Sequence, residues 1–273
     1  MKYTKTKLDV IIPCYRGNEL FKRAVKSIFE SKLPVDRVFV SFNGNQSVNE
    51  QWLENFKTMI SSDVKFIVFK SDNEITAKEH WLKICRNLTQ YMDDETYIFL
   101  LAHDDIILDA NNINVKDLYK EDATFFPQYI LNNKKVNNHI KADRNYSIKQ
   151  WLSLSFYSDN YTNMSGMIVK FGNLTNVVNE FKNKITGSRF EYMLATNYSI
   201  TSVRYISSLN LFINVDPQSD GASISNINSR IDDCLYLRYL NLNVKFNFFE
   251  RLVIYFRLIK KLSILFFNLV SYK

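Results

Sequence analysis

The sequence predicts an α/β protein with a central, mostly parallel sheet flanked by helices. Three observations carry that prediction. Four short runs rich in β-branched and aromatic residues, at 8–12, 37–42, 64–69 and 97–101, alternate with three segments of helical periodicity. The fourth run, Tyr97-Ile98-Phe99-Leu100-Leu101, is continuously apolar, as a strand covered on both faces should be. Only 6 Gly, 4 Pro and 3 Cys occur in 273 residues, which excludes collagen-like, low-complexity and disulfide-stapled chains. A βαβαβαβ order with short connections leaves helices on both faces of one sheet.

Each element has a local reason. Pro13 ends the first run. Asn18 can cap the next helix, whose apolar face is Leu20, Phe21, Ala24, Val25, Ile28 and Phe29, and Pro34 closes that unit. Asn43-Gly44-Asn45 after the second run is a turn signal. Ser47 with Glu50, and Thr76 with Glu79, have the spacing of a capping box. They open helices carrying Trp52, Leu53, Phe56 and Ile60, then Ala77, Trp81, Ile84, Leu88 and Tyr91. Beyond about Asp109 the rhythm loosens. Strands are expected over 123–129, over 164–171 with an interruption at Gly166, and within 202–215. Helices are expected around Trp151 and Leu152 (opened by Ser147 with Gln150), over 175–181, after Ser188 with Glu191, and over 228–240. With neither an internal repeat nor a linker, 1–240 reads as one globular unit followed by a tail, 241–273.

Charge is concentrated in that tail. Lys and Arg number 35 and Asp and Glu 28, for a net charge of +7. Lys245, Arg251, Arg257, Lys260, Lys261 and Lys273 face a single acid, Glu250, so the tail alone holds +5. The same stretch is strongly apolar, but Lys260 and Lys261 interrupt it and leave no clean run long enough to span a bilayer. Apolar residues with cations near lipid headgroups describe an interfacial helix, so peripheral membrane contact is expected over 245–273. A nucleic-acid binder would carry a broader basic face, so no nucleic-acid partner is expected. Residues 1–7 are polar and 8–12 are too short for a leader's apolar core, so no secretory signal is expected. The scattered Cys14, Cys85 and Cys234 suit a reducing cytoplasm.

The chemistry-bearing cluster is Ala102-His103-Asp104-Asp105, at the carboxyl end of the fourth strand. Open α/β sheets bind ligands at such ends. Two adjacent carboxylates repel each other unless a cation or hydrogen bonds compensate. Oxygen donors suit Mg²⁺ or Mn²⁺, ions commonly shared with substrate phosphates. The blander account is an acidic turn. No Gly-rich phosphate loop follows the first strand, where Pro13-Cys14-Tyr15-Arg16-Gly17 stands, and no G-x-S-x-G elbow occurs. P-loop, nicotinamide and serine-hydrolase chemistries are thereby disfavoured.

Val10-Ile11-Ile12-Pro13-Cys14-Tyr15, Val38 to Asn45, Asn73 and His103-Asp104-Asp105 recur in the order seen in family 2 glycosyltransferases of GT-A fold, which this chain resembles over about 8–109. Ser165-Gly166-Met167 and Gly187 to Glu191 resemble that family's acceptor side more loosely. The resemblance implies a nucleotide-binding half, 1–109, and an acceptor-binding half, 110–240. Three positions depart from the family pattern: Asn43-Gly44-Asn45 replaces Asp-Gly-Ser, Ala102 replaces the first Asp of the D-x-D triplet, and Cys14 replaces Thr.

On this resemblance a sugar passes from a nucleotide-diphosphate donor to an acceptor hydroxyl, with inversion. It implies donor contacts from Pro13, Tyr15 (stacked on the base), Asn43 (at the base edge), Lys78, His80, His103 and Asp104. It implies a divalent metal on Asp104 and Asp105. Glu191 is the expected catalytic base, although Ser188-x-x-Glu191 is also a capping box that would lower its pKa. Asp216 is the runner-up, and Asp232 with Asp233 fit a solvated helix face. The basic tail implies a lipid-linked bacterial surface-glycan acceptor, such as a capsule or O-antigen precursor, at the inner face of the cell membrane. A catalytically silent, sugar- or partner-binding GT-A protein is the alternative, and Ala102 is the feature that favours it. A nucleotidyltransferase would need a Gly-rich, basic loop after the first strand.

Overall fold

The structure is a computed structural model and describes residues 7–15, 19–60, 63–110, 113–126, 128–130, 143–151, 165–181, 200–207, 210–213, 231, 234–235, 237–238, 241 and 245–271. The strands are β1 (Leu8–Cys14), β2 (Val35–Phe42), β3 (Lys65–Lys70), β4 (Tyr97–Leu100), β5 (Ile106–Asp109), β6 (Ala123–Phe125), β7 (Gln128–Ile130), β8 (Arg144–Ser147), β9 (Met167–Lys170), β10 (Ser202–Tyr205) and β11 (Asn210–Ile213). The helices are α1 (Glu19–Glu30), α2 (Ser47–Met59), α3 (Ala77–Leu88), α4 (Val115–Leu118), α5 (Phe171–Phe181) and α6 (Phe248–Ser271).

An eight-stranded sheet runs β3-β2-β1-β4-β9-β6-β10-β8. Its first four strands are parallel. Strand β9 lies antiparallel between β4 and β6, β10 runs parallel to β6, and β8 closes the edge antiparallel. A small second sheet, β5-β11-β7, stands apart. The expected α/β architecture with a mostly parallel sheet is therefore observed, and it draws strands from both sides of residue 109.

Alternation along β1 and β4 explains the two cores. Ile11, Ile98 and Leu100 face one layer, with Trp81, Ile84 and Leu88 of α3 and Phe171, Leu174 and Val177 of α5. Val10, Ile12, Phe99 and Leu101 face the other, with Phe21, Val25 and Ile28 of α1 and Leu53 and Phe56 of α2. Both faces of the central strands are thus covered, which is why they read as unbroken apolar runs. Asp9, buried in β1, is held by a two-pronged pair from Arg37, Nε to Oδ1 at 3.0 Å and Nη2 to Oδ2 at 2.6 Å.

Several expectations need correction. Pro13 does not end β1: it pairs in register with Ser41, and the pairing of β1 with β4 stops at Ile11. Alternation turns the nitrogen of Pro13 to the β4 side, so its missing N–H breaks no ladder bond. Ser47 does not cap α2. Gln46 is the N-cap, with no side-chain cap bond, and Glu50 reaches Lys70 instead, at 3.3 Å. The expected strand 123–129 is two strands, β6 and β7, in different sheets, and 202–215 likewise divides into β10 and β11. Helix α5 begins at Phe171 rather than 175, and Gly166 turns the chain before β9 with φ 79°. Strands β5 and β8 were not expected.

The boxes at Thr76 and Ser147 do form. Thr76 Oγ1 accepts from Glu79 N at 3.3 Å while Glu79 accepts from Thr76 N at 3.0 Å. Ser147 and Gln150 exchange bonds of 3.0 and 3.3 Å. Asn18 and the Ser188–Glu191 box lie outside the described residues, as do Asp216, Asp232 and Asp233.

Helix α5 is locked onto the turn before β4. Gly172 N donates to Asp94 O at 3.0 Å, and a Cβ added at Gly172 would lie 2.8 Å from Asp94 Cβ. Gly172→Ala is therefore expected to cost about 1–3 kcal/mol in a denaturant titration. Helix α6 opens on a reciprocal pair: Asn247 Oδ1 accepts from Glu250 N at 2.9 Å, and Glu250 accepts from Asn247 N at 2.7 Å. No helix among the described residues is long and apolar enough to cross a membrane.

Candidate active site

The strand order locates the cleft. From β1 the chain steps outward to β2 and β3, then returns to the other side of β1 as β4. The carboxyl ends of β1 and β4 therefore flank a topological switch point, where an open sheet leaves a crevice between diverging connections. Cys14 ends β1 and Tyr15 follows it. His103, Asp104 and Asp105 follow β4 in a tight turn closed by Asp105 N donating to Ala102 O at 3.2 Å. The rings of Tyr15 and His103 lie 6.4 Å apart, centroid to centroid. Ser165 and Gly166 pin the β4 end from the β9 side: Ala102 N donates to Ser165 Oγ at 2.9 Å and Gly166 N to Leu100 O at 2.8 Å.

Tyr15 is fixed from below. Its hydroxyl donates to Ala77 O, in the first turn of α3, at 3.1 Å. Its ring stands edge-on to His80, 4.9 Å between centroids. His80 is fully buried, and its Nε2 lies 2.8 Å from Ser41 Oγ on β2. Burial, with a smaller contribution from Lys83, lowers the His80 pKa from 6.5 to about 4. His80 is thus a neutral strut between β2, α3 and Tyr15, set beneath the cleft. Lys78, two residues earlier on α3, is half-buried.

The depressed His80 pKa links stability to pH with a definite sign. The unfolded chain takes up this proton near pH 6.5 and the folded chain only near pH 4, so stability present above 6.5 is lost as pH falls through that window. His80→Asn is expected to flatten the fall in Tm between pH 6.5 and 4 relative to wild type, measured by parallel thermal melts.

Asn43 reaches the same rim, at the end of β2, but its amide is engaged. Oδ1 accepts from Ile75 N at 2.9 Å and from Ser71 Oγ at 3.2 Å, and Nδ2 donates to Ile75 O at 2.7 Å. Its side-chain oxygen thus accepts twice and holds the β3–α3 connection. Gly44 passes close to that connection with φ 78°, where an added Cβ would sit 3.2 Å from Glu74 N. Gln46, not singled out from sequence, ties the strand ends together: its Nε2 donates to Cys14 O at 3.0 Å and to Asn43 O at 3.1 Å. The signal was available, since a Gln before a helix can turn back to the strand that feeds it.

Asp104 and Asp105 are 8% and 3% exposed. Among the described residues no group of three His, Cys, Asp or Glu side chains stands close enough to enclose a metal ion. Two hard carboxylates do fit Mg²⁺ or Mn²⁺, ions that take one or two protein carboxylates and complete their shell with phosphate and water. The structure brings Pro13, Tyr15, Asn43, His80, His103, Asp104 and Asp105 to one end of the sheet; Glu191 lies outside the described residues.

Comparison with solved structures bears on the fold. Truncated Staphylococcus aureus TarS (residues 1–349), in complex with UDP-GlcNAc, superposes with TM-score 0.65 at 14% identity over 93% of this chain and 72% of that one. The fold is that of the GT-A glycosyltransferases. The mannosyltransferase PcManGT from Pyrobaculum calidifontis, in complex with GDP-Man and Mn²⁺, superposes with TM-score 0.60 at 10% identity over 92% and 69%. Against the longer S. aureus TarS the TM-score is 0.61, and the present chain spans 43% of that protein. No protein-family model and no curated protein matches the chain in sequence. At such identities the likeness concerns the GT-A fold, and the reaction has to be argued from the site.

Proposed function

We propose that this GT-A chain is a glycosyltransferase that moves a sugar from a nucleotide-diphosphate donor to a hydroxyl of a glycan acceptor. The observation that carries the proposal is the meeting of an aromatic ring, Tyr15, with an acidic turn, His103-Asp104-Asp105, across the β1/β4 switch point. A flat ring beside buried carboxylates suits a ligand with a base at one end and a diphosphate at the other. The donor complexes of TarS with UDP-GlcNAc and of PcManGT with GDP-Man and Mn²⁺ support the same reading.

In this reading Tyr15 stacks on the base, with Pro13 and Asn43 shaping the pocket around it. His103 and Lys78 lie along the ribose and diphosphate, and His80 holds Tyr15 in place. Asp104 and Asp105 would hold Mg²⁺ or Mn²⁺, which supplies Lewis-acid neutralisation of the departing diphosphate. The acceptor hydroxyl attacks the anomeric carbon from the opposite face, so the product is inverted. Its proton passes to a carboxylate, for which Glu191 is the candidate. Residues 1–109 form the donor half and 110–240 the acceptor half. The basic, apolar tail favours a lipid-linked acceptor of the bacterial surface-glycan kind, met at the inner membrane face with 245–273 as the peripheral contact.

A silent, sugar- or partner-binding GT-A protein is the second reading. Ala102, in place of an Asp that grips the donor, favours it. Turnover separates the two. With Mn²⁺, UDP- and GDP-sugars and a bacterial lipid extract, the transferase reading expects release of nucleoside diphosphate with labelled lipid product. No release from any donor by folded protein would favour the silent reading.

A further inference from the structure

We infer that α6 binds an anionic lipid surface by laying its aromatic face into it, with only the cations at the edges of that face meeting headgroups. This rests on the membrane association proposed above and names the surface that makes it. The face is visible in the exposure pattern. Phe248 and Phe249 are each 73% exposed and Phe256 and Phe266 each 64%, joined by exposed Leu252, Tyr255, Ile259, Leu262 and Phe267. Projected at about 100° per residue, these side chains fill one continuous arc of about 140°. Arg251 borders the arc on one side and Lys260 on the other, and both are exposed.

The opposite face meets the body. Ile254 is fully buried there, Glu250 pairs with Lys149 at 3.4 Å, and Arg257 and Lys261 are half-buried and engaged. The inward side also carries apolar residues, Val253, Ile254, Leu258, Ile264 and Leu265, all buried or half-buried, so the helix covers one apolar face and leaves a second, aromatic one outward. On the helix, the exposed cations left to meet headgroups are therefore Arg251 and Lys260.

Charge and width together select the occupant. Positions 248, 252, 255, 259, 262 and 266 alternate in steps of four and three, a seam that a second copy of the helix could also use. A two-helix seam, however, leaves Phe249, Phe256 and Phe267 in water on its flank. A planar surface covers seam and flank at once and places the two edge cations at headgroup level. The helix cannot cross the bilayer, so it lies in the interface.

The test is sedimentation of the full chain with vesicles of phosphatidylcholine alone and of phosphatidylcholine with phosphatidylglycerol. Wild type is expected to bind the anionic vesicles more tightly. Phe256→Ser with Phe266→Ser is expected to weaken partitioning at least about tenfold on both vesicles. Arg251→Gln with Lys260→Gln is expected to weaken it about tenfold on anionic vesicles alone. Circular dichroism and nucleotide affinity check that each variant is folded. Wild-type partitioning unchanged by the phenylalanine pair would overturn the inference. So would a stable dimer in light scattering that the same pair breaks, without vesicle binding, which would give the face to a second copy. Vesicle binding by a chain that binds no nucleotide would support this inference while contradicting the transferase reading.

Discussion

Asp104→Ala is expected to lower nucleotide-sugar turnover at least about hundredfold while the protein stays folded. Asp104 follows β4 at the switch point and is one of two adjacent, buried carboxylates. In a diphosphate-leaving reaction the negative charge grows on the departing group, and stabilising it through a bound cation lowers the barrier by several kcal/mol. Removing one carboxylate of a two-carboxylate site forfeits much of that gain. The loss should fall on kcat as well as on donor KM, and should shift the Mn²⁺ activation curve to higher concentration. Wild-type turnover at unshifted Mn²⁺ dependence would remove Asp104 from the donor site.

Asn43→Ala is expected to cost about 2–4 kcal/mol and to weaken donor binding along with stability. The Asn43 side chain exchanges two hydrogen bonds with the Ile75 backbone, at 2.9 and 2.7 Å, and accepts a third from Ser71. Truncation leaves the Ile75 amide and carbonyl without those partners, at about 1–3 kcal/mol for each group in a poorly hydrated place, while the Ser71 hydroxyl still accepts from Gly44 N and can turn to Phe42 O. Asn43→Asp is the sharper variant. A carboxylate cannot donate to Ile75 O, so Asp at this position should destabilise the protein although it keeps the acceptor oxygens. A denaturant midpoint equal to wild type for the Asp variant would contradict this account of why Asn stands there.

These residues also mark how far the sequence could be read. The four parallel strands were legible because each is buried on both faces, and continuous β-branched and aromatic runs announce that directly. Thr76 and Ser147 were legible as caps because their partners Glu79 and Gln150 are local. Ser47 misled because Gln46 spends its side chain on Cys14 and Asn43, contacts made across the sheet that move the helix start by one residue. The split of 123–129 into β6 and β7 was illegible, since an apolar run carries no mark of the point where it leaves one sheet for another. Strands β5 and β8 are four residues each and owe their conformation to partners far along the chain. At the site, Tyr15 and the His103-Asp104-Asp105 turn were readable from their place after strands. The hydrogen bonds that Asn43 and His80 make within the protein were not, because their partners, Ile75 and Ser41, are 32 and 39 residues away.

In the proposed function a nucleoside diphosphate binds across the ends of β1 and β4 with a divalent ion's help. Calorimetry of wild-type protein with UDP, GDP and CDP, each with Mn²⁺ and again with a chelator, tests it most directly. Tight binding of one nucleotide with Mn²⁺ is expected, and at least about tenfold weaker binding with chelator, since Asp104 and Asp105 would hold an ion that neutralises diphosphate charge. Absence of binding to all three nucleotides in the presence of Mn²⁺, by protein shown to be folded, would contradict it.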